Sequence, residues 1–212
     1  TIPSGRITIS APVLFGALHV SPLVCTYLKT YAQVTAELQL ADRIINLVED
    51  GVDVAVRIGH LASSNDVARK IGSTRRVALA SPAYLKEHGI PRAPTEIIDH
   101  RVISCTALTQ ADQWRFQHSG SDKFAPVKPH YITNNAQAAI WHAAHDGGLT
   151  LALAYQAIDQ LRSGHLTVVL QEFEPPPLPI QFVYPSSRLL SAKVRSLIDM
   201  AAEICDWHFV DF

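Results

Sequence analysis

The hydrophobic pattern of the first half of the chain predicts strands that alternate with helices. Residues 6–10, 34–40 and 51–59 alternate apolar or β-branched residues with small or polar ones, which is the period of a strand. Between these segments apolar residues recur at helical spacing, first after Ser21 and then after Asp42, so both residues are predicted helix caps. Strand–helix–strand units require parallel pairing, with helices on the faces of the sheet. We therefore expect an α/β fold.

The second half predicts a similar mixture with one added hairpin. A helix at 82–88 lies between the capping Ser81 and Gly89, and Asn134 and Asn135 precede another helix at 136–145. The remaining predicted elements are a short helix at 94–99, strands at 101–105, 113–117, 123–127, 149–153, 165–170 and 181–184, a helix at 155–162 and a closing helix after Ser191. The proline run at 175–179 predicts an extended connection.

Five segments of the chain carry a family resemblance. They are A-P-V-L-F-G (11–16), D-G-V-D-V-A-V-R-I-G-H-L (50–61), A-R-K-I-G (68–72), A-S-P-A-Y-L-K-E-H-G-I-P (80–91) and V-Y-P-S-S-R-L-L-S-A-K-V-R-S-L-I-D (183–199). In this order they resemble the effector-binding domain of LysR-type transcriptional regulators of bacteria. One departure is D-G-G-L at 146–149, where the family more often has G-L-G before the strand.

The resemblance implies a fold of two α/β lobes, each a mixed, mainly parallel sheet flanked by helices, as in type 2 periplasmic binding proteins. Mapped by the motifs, lobe one holds residues 1–75 and 179–212, and lobe two holds 76–178. Family members carry an N-terminal winged helix-turn-helix, which is absent from this sequence. DNA binding is therefore expected of the full-length protein, and the part described by this sequence is expected to bind a small-molecule effector in the cleft between the lobes.

Candidate effector contacts lie where strands end and helices begin, because backbone N–H groups at helix starts carry partial positive charge. The turns that qualify are 10–15, 59–60, 104–107 and 134–135, and the family resemblance places the pocket at the same turns. The predicted effector-binding residues are Ser10, Gly59, His60, Thr106 and Asn134, with Phe15 and Thr150 behind them. The alternative for each Ser or Asn alone is ordinary capping.

Other residues considered for ligand, metal, catalytic or redox roles have weaker support in the sequence. Arg57 lies on the same strand face as Asp53, so a structural ion pair is preferred to a ligand clamp. His142 and His145 can share a helix face, but no third metal ligand stands at a recognisable spacing, and we expect neither a metal nor another cofactor. Motifs of nucleophilic, nucleotide-binding and zinc enzymes are absent, which argues against an enzyme. Cys105, at the end of a strand, is a candidate sensing thiol without an obvious resolving partner.

The composition bears on core size, nucleic-acid binding and cellular location. The 212 residues are 48% hydrophobic with a formal net charge of −1, which supports a sizeable core and no basic surface for nucleic acid. Three separated cysteines favour reduced thiols, and no apolar run approaches about 20 residues, so we expect a cytoplasmic protein.

The family resemblance also implies a homodimer in which helix 21–31 meets helix 136–145 of a second copy, with a tetramer as an alternative for the full-length protein. The rival to a regulator is a periplasmic solute-binding protein of the same architecture. The sequence does not indicate which organic acid or aromatic metabolite is the effector, or whether the regulator activates or represses.

Overall fold

The structure is a computed structural model that describes residues 2–61, 65–186 and 190–212, so residues 187–189 of the last family motif lie outside the described part. Its regular elements, in chain order, are β1 (Gly5–Ala11), α1 (Val13–Phe15), α2 (Ser21–Thr30), β2 (Val34–Leu40), β3 (Val54–Ile58), β4 (Asp66–Thr74), β5 (Arg76–Ala80), α3 (Pro82–His88), β6 (Val102–Cys105), β7 (Gln113–His118), β8 (Ser121–Pro126), β9 (Pro129–Thr133), α4 (Ala136–Ala144), β10 (Leu149–Leu153), α5 (Ile158–Arg162), β11 (Thr167–Val169), β12 (Leu178–Pro185), α6 (Ala192–Ile204) and β13 (His208–Phe209).

The chain divides into two compact units. Unit one holds the residues up to Ser73 together with Leu178–His208, and unit two holds Thr74–Pro177 together with Phe209–Phe212. The sequence analysis assigned 1–75 and 179–212 to lobe one, and the observed units differ from this at Thr74, Arg75 and Leu178 and in the last four residues. The last four residues group with unit two because the Arg75 N–H donates to the carbonyl of Phe209, at 3.3 Å, and the Arg75 side chain donates to that of Val210, at 3.0 Å.

Unit one is built on a mixed sheet with the strand order β13-β4-β12-β3-β1-β2. β1 pairs in parallel with both β2 and β3, whereas β12 runs antiparallel to β3. The buried side chains of β1 and β3, among them Ile7, Ile9, Val54 and Val56, form part of its core. Because β1, β2 and β3 are parallel, their carboxyl ends share one edge of the sheet.

The first crossover helix begins earlier than the sequence predicts. The chain is helical from Val13 to Thr30, and residues Gly16–Val20 form a π-helical turn. Ser21 therefore does not cap a helix start: its N–H donates to the carbonyl of Gly16, inside the helical run. Pro22 has no N–H to give to the preceding turn, and the π-helical turn lies immediately before it.

This helical run is also apolar, with a mean hydropathy of 1.2 over its 18 residues. Among the described residues it is the one helix whose length and composition would suffice to cross a membrane. One such helix is weak evidence for a span, because helices of soluble proteins pass the same test, and 28% of this one, including Phe15, Val20, Leu23 and Tyr27, is buried within the fold.

The second crossover is a loop, so the predicted helix after Asp42 is wrong. Residues 41–51 form bends and turns, with Leu47 buried and Ile44 88% exposed. The side chain of Asn46 accepts hydrogen bonds from the N–H groups of Val48 and Glu49, at 3.1 and 3.2 Å. Local side-chain bonds of this kind offer the backbone an alternative to the helix.

Unit two contains a second mixed sheet with the order β11-β5-β10-β6-β9, and β7 and β8 form a separate hairpin. One face of the sheet packs against the hairpin through Trp114 and Phe116, and the other packs against α4 through Ala139, Ile140 and Ala143. Asn135 caps α4 as predicted, because its side chain accepts from the Ala138 N–H at 3.0 Å.

Candidate functional site

Unit one encloses a cavity of about 670 Å³ at the carboxyl ends of its parallel strands. The volume lies within the usual range for small-molecule sites. Its walls come from the strand exits and from the loop after β2, namely residues 10–12, 41–47, 55–61 and 66. The structure therefore brings together Ser10, Gly59 and His60, three of the residues that the sequence analysis selected.

Ser10 is a buried polar residue in this wall. It lies near the end of β1, opposite Gln39 of β2 and Ala55 of β3, and only 4% of it is exposed. Within the described residues its hydroxyl group forms no hydrogen bond, although the residue lines the cavity. The hydroxyl oxygen is not sealed off from the cavity, so a ligand group bound there can supply the missing partner.

Gly59 is held in position by β12. Its N–H donates to the carbonyl of Pro179 at 2.9 Å, and its own carbonyl accepts from the side-chain amide of Gln181, also at 2.9 Å. The backbone φ of 113° at Gly59 is one that residues with a Cβ rarely adopt. The turn is therefore fixed on both sides, and it carries the exposed His60 to the cavity wall.

Arg57 lines the same cavity, and the predicted pair with Asp53 is wrong. The guanidinium of Arg57 donates to the carbonyl of Ile45 at 2.8 Å and lies 3.9 Å from the carboxylate of Asp66. Asp53 precedes β3 and instead binds Lys193, at 3.2 Å, and the N–H of Thr8, at 2.9 Å. Strand alternation alone did not decide the pairing, because Lys193 and Thr8 belong to other elements.

The sequence analysis missed the loop after β2 as part of this site. Asp42, Arg43 and the residues up to Leu47 line the cavity, and the Asp42 carboxylate accepts a hydrogen bond from the N–H of Val13 at 3.0 Å. The rule that selected Ser10, a polar residue at the exit of a parallel strand, applies equally to Asp42 at the exit of β2. The prediction of a helix there concealed this signal.

Phe15 and Thr150, predicted behind the contact residues, are fully buried. Phe15 packs edge-on against Trp207, with ring centroids 5.0 Å apart, and lies 4.9 Å from the ring of His19. Burial lowers the pKa of His19 below its ordinary value. The Thr150 hydroxyl donates to the carbonyl of Ile103 at 3.0 Å inside unit two. Neither side chain has surface with which to contact a ligand directly in this structure.

Thr106 and Asn134 lie together in unit two, at the carboxyl ends of the parallel strands β6 and β9. The Thr106 N–H donates to the carbonyl of Thr133 at 2.9 Å, and Asn134 follows Thr133. Both residues are exposed. Since Asn135 is the residue that caps α4, the side chain of Asn134 is not needed for that purpose.

The histidines of α4 point to separate partners. His142 stacks on Tyr131, with centroids 4.7 Å apart, and His145 stacks on Trp141 at 3.9 Å. Over the described ranges no group of three His, Cys, Asp or Glu side chains is placed to hold a metal ion. Cys105 is buried at the end of β6, whereas Cys25 of α2 is exposed.

Comparison with known sequences gives a family match over nearly the whole chain. The sequence profile of the LysR substrate binding domain matches residues 2–206. The HTH-type transcriptional regulator DmlR of Escherichia coli K12 is 27% identical over all of this chain and 69% of its own length. An HTH-type transcriptional regulator of Xanthomonas campestris pv. campestris is 30% identical over 93% of this chain and 58% of its own length. This chain thus spans roughly three-fifths to two-thirds of the relatives it matches.

Solved structures with the same fold come from regulators of this kind. The full-length virulence activator AphB of Vibrio cholerae superposes with a TM-score of 0.81 at 26% identity, covering 95% of this chain and 68% of AphB. The regulatory domain of CrgA from Neisseria meningitidis superposes with a TM-score of 0.79 at 22% identity, covering 95% of this chain and 98% of that domain. At 22% identity, the likeness to the CrgA domain supports the fold alone.

Proposed function

Because the chain belongs to the LysR substrate-binding domain family, the effector-binding part of LysR-type transcriptional regulators, we propose that it senses a small organic anion in the cavity of unit one. The observation that carries this proposal is that Ser10 and Gly59, at the carboxyl ends of two strands, line one cavity of small-molecule size. Ligands of open α/β sheets bind outside the carboxyl ends of the strands.

An anion is favoured by the groups around this cavity. Arg43 and Arg57 contribute two guanidinium groups to a wall that also holds Asp42 and Asp66, and the helix that starts at Val13 directs the positive end of its dipole toward the exit of β1. The buried Ser10 hydroxyl adds a donor. A small organic acid or an acidic aromatic metabolite would use all three kinds of group.

Thr106 and Asn134 are proposed as additional effector contacts supplied by unit two. Their support is their position at the ends of parallel strands and their exposure. In the full-length protein, an effector can regulate transcription only through different affinities for two arrangements of the protein. DNA binding by an N-terminal segment and a cytoplasmic location are part of this proposal, and the regulators among the relatives favour it over a solute-binding protein.

The proposal is tested by thermal-shift screening of this chain against small organic acids and aromatic metabolites, followed by calorimetry of each compound that raises the melting temperature. We expect Ser10→Ala to weaken the binding of such a compound about tenfold, the effect of losing one good hydrogen bond. Ser4→Ala, at an exposed position in the same unit, is the matched control. Unchanged affinity in Ser10→Ala would remove the unit-one cavity as the binding site.

The contribution of unit two is tested in the same assay. Thr106→Ala and Asn134→Ala should each weaken binding several-fold if their side chains contact the effector. Thr95→Ala, at an exposed position of unit two, is the control. Full affinity in both variants would confine the effector site to unit one.

We also propose that the chain pairs with a second copy through α2 and α4. The support within this chain is Trp141 on α4, which is 62% exposed, because an exposed tryptophan on a helix is typical of an interface. Trp141→Glu should convert a dimer to a monomer in light scattering at micromolar concentration. Ile98→Glu, at another exposed apolar position of unit two, should remain dimeric. A monomeric wild-type protein would refute the pairing.

A further inference from the structure

The start of the first helix already holds a carboxylate that belongs to the chain itself. Pro12, the residue before Val13, provides no side-chain cap, and the Val13 N–H donates instead to Asp42, 29 residues away, at 3.0 Å. A backbone hydrogen bond of 3.0 Å from Ala41 to Ala11 fixes the exit of β2 beside the exit of β1. Asp42 therefore reaches the helix start from a neighbouring strand, and it does so within the cavity wall.

The same place has the properties of an anion site. The helical run from Val13 to Thr30 is 18 residues long, so its first N–H groups carry the positive end of a full helix dipole. Ser10, buried and without a hydrogen-bond partner in the part of the chain that the structure describes, lines the same cavity. Its hydroxyl is a second group that a carboxylate oxygen can satisfy.

The net charge of the wall depends on where Asp42 lies. Among the described residues that line the cavity, the arginines Arg43 and Arg57 are balanced by the aspartates Asp42 and Asp66. Asp66 lies near Arg57, at 3.9 Å, whereas the bond that Asp42 is shown to make is with a backbone N–H group. Removal of Asp42 from its position would leave the cavity with an excess positive charge and an uncapped helix start.

We propose that Asp42 is a built-in competitor for the anionic group of the effector. Its carboxylate occupies the helix start in the ligand-free protein and leaves it when the carboxylate of a ligand binds there. The loop that carries Asp42, residues 41–51, is anchored by Leu47 and Ile45, whereas Asp42 itself is exposed, and movement of the loop with Asp42 would couple binding to the shape of unit one. This inference rests on the proposed sensing of an organic anion in the same cavity.

A substitution separates competition from ordinary capping. Asp42→Asn keeps an oxygen that can accept the Val13 N–H and removes only the negative charge, so the helix start stays capped. Glu49→Gln removes one negative charge from the same loop at an exposed residue that does not line the cavity, and it is the matched control. Asp42→Ser is a second capping variant for use if Asp42→Asn does not fold.

The probes are succinate, a small dicarboxylate, and its uncharged diamide succinamide, titrated by calorimetry into the wild-type chain and the variants. We expect Asp42→Asn to bind succinate about tenfold more tightly than the wild type, with Glu49→Gln equal to the wild type. Succinamide should not distinguish the three proteins. In nitrogen–proton correlation spectra, succinate should shift the amide resonance of Val13 in each of them.

Three results would overturn the inference, with different consequences for the proposed function. Equal succinate affinity in the wild type and Asp42→Asn, or binding that leaves the Val13 amide unmoved, would reduce Asp42 to a cap while leaving the proposed anion sensing intact. The absence of succinate binding in both proteins would count against the competitor and against the proposed ligand class together.

Discussion

Arg75 and Glu174 form a bidentate ion pair in unit two. Arg75 donates from Nε and Nη2 to the two carboxylate oxygens of Glu174, at 2.8 and 2.7 Å, and the side chains are only 13% and 12% exposed. Arg75 also binds the carbonyl of Val210 and lies 4.8 Å from the centre of the Phe212 ring. This arginine therefore ties the C-terminal residues to the connection before β5.

Glu174→Ala should destabilise unit two by about 3 kcal/mol, because it leaves a largely buried guanidinium without its counter-charge. The measurement is urea unfolding followed by tryptophan fluorescence. The double variant Arg75→Met, Glu174→Met should recover most of this loss, since removal of both charges leaves neither one unpaired.

The control for this prediction is the exposed pair of Arg115 and Asp122, whose side chains are 51% and 41% exposed. Asp122→Ala should cost less than about 1 kcal/mol, as is usual for surface ion pairs. Equal losses at Glu174 and Asp122 would show that burial does not set the strength of these pairs.

Gly148→Ala should destabilise the protein by about 3 kcal/mol or more, because two penalties coincide. The φ of Gly148 is 134°, and a Cβ there would lie 2.3 Å from the carbonyl oxygen of Arg101. Gly120→Ala, with φ of 77° and open space around the Cβ position, should cost only about 1 kcal/mol. Calorimetric melting would compare them, and similar losses would contradict the steric contribution at Gly148.

The stability of the protein should depend on pH through the protonation of His100. Its Nδ1 lies 3.1 Å from the Tyr84 hydroxyl, which accepts from the Arg101 N–H at 3.0 Å and can donate its own proton to the imidazole. Burial, and secondarily His88, lower the pKa of His100 below 6.5, against the opposing effects of Asp99 and Glu96. The unfolded chain therefore takes up a proton first on acidification. This contribution to stability is complete above about pH 6.5 and is lost as the pH falls below it.

His100→Asn should flatten the loss of stability as the pH falls below about 6.5, because asparagine can offer an acceptor near the position of Nδ1 and does not titrate. Urea unfolding midpoints across this range provide the measurement. His165→Asn, at an exposed position of the same unit, should leave the slope unchanged. A His100→Asn protein with the slope of the wild type would contradict the role of His100.

Asn134 and Asn135 should differ in their contribution to stability, because only Asn135 caps α4. Asn135→Ala should cost about 1 kcal/mol of stability, because the Ala138 N–H loses its acceptor at the start of α4. Asn134→Ala should change the stability by less than about 0.5 kcal/mol. Thermal unfolding of the two variants would test this. A larger loss of stability in Asn134→Ala than in Asn135→Ala would contradict the assignment of Asn135 as the cap.

The elements that could be predicted from sequence are those with local signals. Ser81 was predicted as a cap, and Asn135 and Ser191 were predicted to precede helices; each accepts a hydrogen bond from an N–H three residues later. The hairpin of strands 113–117 and 123–127 was predicted as well, and Ser119 and Gly120 in its turn have positive φ. These predictions are confirmed because the partners lie within a few residues of each other.

The errors in the candidate site have a common cause. Asp42 was predicted to cap its own helix and Arg57 to pair with Asp53, and both expectations used neighbours in sequence. The structure gives Asp42 a backbone N–H of another element and gives Asp53 the ammonium of Lys193, 140 residues away. Such partners compete with local ones only after the sheet has formed, so the local pattern cannot reveal them.

The sequence by itself determined the family, the α/β class and most strand and helix positions, because hydrophobic period and capping chemistry act over a few residues. Tertiary structure alone decided that Ser10, Gly59 and the loop after β2 line one cavity, that Asp42 covers the start of a distant helix, and that the last four residues join unit two. These outcomes depend on which strand exits share an edge and on which buried polar groups find partners, and both are properties of the assembled sheet.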